Sequence, residues 1–181
     1  MSVIEQNLKR IFLRRNPYAD DGINTSLQRN ELYMGCTSQQ KMEIKQYWRE
    51  GLEELALKYG TTQTVSCYFK DLDVLRNRMN TKYGHLFCES GFRISHAQKS
   101  FSVYLKYRWC KDLIPAPPVC PIDSTVLNAM GRPWSNKHWT TMENGEYYDL
   151  SNDLIKLVEP SGLSIAQWEL IMFTGRQNDK N

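Results

Sequence analysis

Apolar residues recur at helical spacing along most of the chain. Ile4, Leu8, Ile11 and Phe12 lie three and four apart within residues 3–14, which places them on one face of an α-helix. Charged residues fill the gaps, and there is no continuous apolar run or small-residue cleavage site, so this is read as an amphipathic helix of the mature protein rather than a targeting segment. "TSQQKMEIKQYWREGLEELALKYG" opens with a capping box, Thr37 with Gln40, in which each residue satisfies the other's free amide. Ile44, Trp48, Leu52, Leu55 and Tyr59 then continue the period. Residues 62–80 repeat it with Val65, Phe69, Leu72, Leu75 and Met79. A helix from about 95 to 110 follows, with Ala97, Phe101, Tyr104 and Leu105 on one face and Lys99, Ser102 and Lys106 on another.

Three stretches interrupt the pattern. Residues 14–36 carry turn chemistry at Asn16-Pro17 and Asp21-Gly22 and read as a long loop. "IPAPP" (114–118) forbids helix. "RPWSNKHWTTMENGEYY" (132–148) is loop-like and aromatic. Long loops in a compact domain are often functional. Short helices are predicted after Asp123 and over "LSNDLIKLV" (150–158), the latter stopped at Pro160. Ser164 with Gln167 makes a second capping box and starts a last helix, "IAQWELIMF", ending near Gly175. Strand signals are weak, "TVSCYF" being the only tempting one. The prediction is an all-α, compact multi-helix fold, and 181 residues suit a single helical domain.

An apolar fraction of 41%, with 12% aromatic residues, supports a real core. No apolar run reaches the roughly 18 residues of a membrane span. The five cysteines, Cys36, Cys67, Cys88, Cys110 and Cys120, include no CxxC pair. No metal site is therefore expected, and reduced thiols of a cytoplasmic protein are the simplest account. Net charge is only +3, but it is unevenly spread. Gly91 to Lys111 holds Arg93, Lys99, Lys106, Arg108 and Lys111 and no acid, and a second cluster is Lys9, Arg10, Arg14 and Arg15. Such patches suit a phosphate backbone or, equally, an ordinary solvated face.

Asp123, between "VCPI" and "STVLNAMG", sits where a helix cap is expected. Its side chain would accept from the first free amides of the helix. The same contacts, with the helix dipole, would hold it ionised. A fixed carboxylate can stabilise the oxocarbenium-like state of glycosyl transfer. Cap and catalyst are thus not rival roles.

In these residues "CPIDSTVLNAMG" resembles the helix-hairpin-helix DNA glycosylase superfamily, whose Val/Ile-Pro-Val/Ile-Asp-Thr-His-Val motif carries the catalytic aspartate. Pro121, Ile122, Asp123, Ser124 and Val126 match, and Thr125 replaces the usual His. Residues 150–176 look like the family's next helix, proline break and last helix, with Trp168, Leu170, Ile171, Gly175 and Arg176 in matching places. "SGFRISHAQKSFSVYL" (90–105) looks like the family's Gly-aromatic/aliphatic-x-x-x-Lys-Ala-x-x-Ile helix start, with His96 where Lys is common, and "GFRISHAQKS" within it is the one candidate for the hairpin. The likeness covers about residues 90–176, which would form the catalytic half. The hairpin's two-glycine turn is missing, so a degenerate or remodelled hairpin is expected.

The resemblance implies hydrolysis of the N-glycosidic bond of a damaged or modified base in DNA, leaving an abasic site. The base would be flipped from double-stranded DNA into a pocket by a monomeric enzyme. Asp123 would be catalytic. Lys99, 24 residues earlier, stands nearest to the lysine that forms a Schiff base in bifunctional members; the wider spacing falls in "CKDLIPAPPVC". Arg93, His96, Lys106, Arg108 and Arg132 would contact DNA. Trp134, Trp139 and Tyr18 would wall the base pocket, with the 14–36 and 132–148 loops near it. No cysteine-rich segment for a cluster follows the last helix, so no cofactor is implied. Base modification on the same scaffold and a non-enzymatic helical module binding DNA or protein remain open alternatives.

Overall fold

A computed structural model describes residues 3–28 and 30–175. Among them are eight α-helices: α1 (Val3–Arg15), α2 (Asp21–Leu27), α3 (Ser38–Ala56), α4 (Val65–Tyr83), α5 (Ile94–Cys110), α6 (Ser124–Met130), α7 (Asn144–Val158) and α8 (Ile165–Gly175). Short 3-10 turns link them, and the one extended pairing among the described residues is an isolated antiparallel bridge between Tyr33 and Phe87. The fold is all-α, as the periodicity predicts. Arg176, matched in the sequence comparison above, lies outside the described residues.

α5 is the axis of the molecule. All but two of its residues, Tyr107 and Arg108, are buried. The expected polar face is therefore not solvated. It is buried because its serines bond to their own helix: Ser100 Oγ donates to the His96 carbonyl at 2.7 Å and Ser102 Oγ to the Gln98 carbonyl at 2.6 Å. Neighbours take the remaining capacity. Trp48 Nε1 on α3 donates to Ser100 Oγ at 3.0 Å, and the Tyr68 hydroxyl on α4 donates to the Gln98 carbonyl at 3.3 Å. Phe101 is stacked on Tyr68 and meets Tyr59 edge-on. Buried side chains from Phe12 to Leu170 join in one core around this helix.

Two helices begin where the sequence reads loop. α2 lies inside the predicted 14–36 loop. It packs along α5, and Gly22 makes this possible: a Cβ there would sit 2.6 Å from the Ser100 carbonyl oxygen. α7 starts at Asn144 rather than at residue 150. Glu143 N donates to Glu146 Oε2 at 3.0 Å, and buried Tyr147 donates its hydroxyl to the Trp139 carbonyl. The tempting strand "TVSCYF" is the capped start of α4, where Cys67 N donates to Thr64 Oγ1 at 3.2 Å.

The chain leaves α5 through Asp112, whose φ of 58° makes the left-handed turn that commonly ends a helix. Residues 114–122 then return along α5, with Ile114, Pro117, Val119, Cys120 and Ile122 buried. Gln98 Nε2 donates to the Cys120 carbonyl at 3.3 Å and marks the path. Travelling back from Cys110 to Lys99 covers about 16 Å of helix. Extended proline-rich chain does this in about five residues at ~3.1 Å each. The long spacing between Lys99 and Asp123 is thus taken up in the return, and the two residues meet.

Candidate functional site

The return delivers Asp123 to the N-terminus of α6 and the side of α5. The residue is extended, with φ −151° and ψ −178°, and caps the helix. Oδ1 accepts from the amides of Thr125 at 2.9 Å and Val126 at 3.2 Å. Oδ2 accepts from Lys99 Nζ at 2.9 Å. Burial works to raise the Asp123 pKa, but the Lys99 charge and the hydrogen bonds from Lys99, Val126 and Thr125 outweigh it, and the group stays below its ordinary value. The pair is unevenly placed. The Lys99 side chain is 7% exposed and that of Asp123 is 35% exposed. The carboxylate therefore faces outward, supported from behind by an ammonium.

In front of Asp123 lies a cavity of about 210 Å³, lined by Thr25, Gln28, Lys99, Asp123, Ser124, Thr125 and Trp139. Pockets for drug-sized ligands run ~300–1,000 Å³, so this one suits a single ring or sugar. Trp139 is buried, and Lys99 Nζ lies 5.9 Å from its ring centroid.

Of the residues singled out from the sequence, Asp123, Lys99 and Trp139 come together here. His96 and Lys106 require correction as DNA contacts, since both lie in the interior. His96 Nδ1 accepts from the Arg93 amide at 3.0 Å, and Nε2 stands 3.2 Å from the Asn30 carbonyl. Burial lowers its pKa to about 4, so at neutral pH it is uncharged. Lys106 is buried between the rings of Phe12 and Phe173 and pairs with Glu169 on α8 at 2.5 Å. The acid-free stretch 91–111 is therefore not one exposed basic patch, because α8 and the start of α6 supply the missing acids. Likewise Lys9 is buried and bonds Asp112 at 2.8 Å.

Arg93 and Arg108 are half-buried at opposite ends of α5, and the Arg93 guanidinium donates to the Asn30 side-chain oxygen. Arg132 is exposed. Trp134 is half-buried and donates from Nε1 to Asp153 Oδ2 at 3.2 Å, away from the cavity lining. Tyr18 is 71% exposed and precedes α2, whereas the cavity touches the other end of that helix. Ser124 and Thr125, read from the sequence only as motif positions, also line the cavity, and the lining residues missed altogether are Thr25 and Gln28. Ile23 and Leu27, four apart behind the acidic start Asp20-Asp21, are the helix signal that would have found them.

No family model, curated protein or solved structure matches this chain.

Proposed function

We propose that the protein is a DNA N-glycosylase that hydrolyses the bond between deoxyribose and a damaged or modified base. The observation that carries this reading is the outward-facing Asp123 carboxylate, held by Lys99 at 2.9 Å and by two amides, at the head of a ring-sized cavity. The likeness of residues 90–176 to helix-hairpin-helix glycosylases supports it from the sequence side.

The chemistry follows from the charge. A base extruded from the duplex enters the cavity. As the C1′–N bond breaks, its electron pair leaves with the base and positive charge develops on the sugar. Asp123 faces that charge already ionised, so no proton has to be lost first. Water then attacks C1′, and its proton passes to Asp123 or to solvent. An ammonium engaged in a salt bridge offers no lone pair to C1′, which favours hydrolysis by water over a Schiff-base lyase route.

Asp123→Asn tests the reading, because Asn caps helices about as well as Asp. The change leaves the Lys99 ammonium without its carboxylate, so the rate is read on protein that circular dichroism shows folded, or on Asp123→Asn combined with Lys99→Met, which removes the unpaired charge. On duplexes carrying a panel of damaged and modified bases, wild type is expected to release free base and leave an alkali-labile abasic site. Asp123→Asn is expected to slow release by at least ~10²-fold. A near-wild-type rate in the variant would overturn the assignment. An altered base still attached to the sugar would assign base modification instead, and binding without any product would assign a non-enzymatic module.

A further inference from the structure

A second groove, of about 490 Å³, opens beside the Asp123 cavity, and Gln28 lines both. Its lining also includes Tyr33 and Lys41. Lys41 is exposed near the start of α3, with Nζ 5.5 Å from the centroid of the half-buried Tyr33 ring. The wall is well fixed. Around Tyr33 the backbone is pinned by Met34 N donating to the Leu86 carbonyl at 3.0 Å and Cys88 N to the Leu32 carbonyl at 2.8 Å. Asn30, also in the lining, donates to Ser95 Oγ at 2.8 Å and accepts from the Arg93 guanidinium.

We propose that this groove is a second nucleotide subsite, which takes the nucleotide next to the one held at Asp123; the proposal rests on the DNA reading above. An aromatic ring with a cation over it matches a nucleotide's two parts, since bases stack on aromatic side chains and the charge meets the phosphate. Two hollows divided by one glutamine suit consecutive units of one strand. Gln28 has no hydrogen bond from its side chain among the described residues and is available to either unit. Glu31 shares the rim and opposes the phosphate, which gives the test a control of opposite sign.

The experiment is fluorescence anisotropy with a labelled duplex carrying a central abasic-site analogue, over a range of salt, alongside base release by the same proteins. Lys41→Gln is expected to weaken binding and reduce the slope of log affinity against log salt by about 1. Tyr33→Leu is expected to cost about ten-fold or more in affinity, and Glu31→Gln to tighten binding. Lys41→Gln and Tyr33→Leu binding like wild type, while wild type releases base, would overturn the subsite and leave the glycosylase reading standing. Wild type that neither binds DNA nor releases base would overturn both. If circular dichroism shows Tyr33→Leu misfolded, the salt slope of Lys41→Gln, a change to an exposed side chain, decides alone.

Discussion

His96 accepts the Arg93 amide on Nδ1, so Nε2 carries the proton and donates to the Asn30 carbonyl. Both nitrogens are occupied only while the ring is neutral, and a proton on Nδ1 would break the first bond. The unfolded chain takes up that proton near pH 6.5 and the folded chain only near pH 4. Stability from this residue is therefore whole above pH 6.5 and lost as pH falls through that window. The loss amounts to about 3 kcal/mol by pH 4. Urea unfolding at pH 7 and at pH 4 is expected to show it, and His96→Gln to remove most of the slope between pH 6.5 and pH 4. Asp123 adds its own loss only below its ordinary pKa of 3.8, because its shift is downward. The sequence made Asp123 legible because capping is local chemistry read from neighbouring residues. It did not make His96 legible, since the Asn30 carbonyl that occupies Nε2 is 66 residues away.

Caps and periodicity carried the helices. Thr37 with Gln40, and Ser164 with Gln167, form both reciprocal bonds. α2 escaped because Gly22, Asn24, Thr25 and Ser26 are poor helix formers. A helix of seven residues cannot hold itself in water, so it exists by lying against α5. Gly22→Ala would raise helix propensity and still destabilise the protein, since the added methyl meets backbone at 2.6 Å. The expected cost is about 1–3 kcal/mol by denaturant unfolding. Because Thr25 and Gln28 ride on the same helix, the Asp123 cavity is expected to loosen with it.

On the scale of the whole molecule, two ion pairs made by buried lysines, Lys99–Asp123 and Lys106–Glu169, join α5 to the return segment and to α8. From the sequence Lys99 reads as a candidate Schiff-base lysine and Lys106 as a DNA contact, and neither reads as half of an ion pair, because their acids arrive from 24 and 63 residues away. For the inner pair, Glu169→Gln leaves the ammonium unpartnered and is expected to cost about 3–5 kcal/mol. Replacing both with methionine should cost much less, because the desolvation of two charges then disappears. Thermal or urea denaturation of the single and double variants separates the two outcomes.

The return segment also has a chemical consequence. Cys120 lies within it, fully buried, and burial raises its thiol pKa well above the ordinary value. Cys67, by contrast, is exposed on α4. A thiol reagent reaches Cys120 only when the segment lifts from α5, and that same lifting carries Asp123 away from Lys99. The alkylation rate of Cys120, with Cys67 as the internal reference, therefore counts how often the site comes apart while the rest of the protein stays folded.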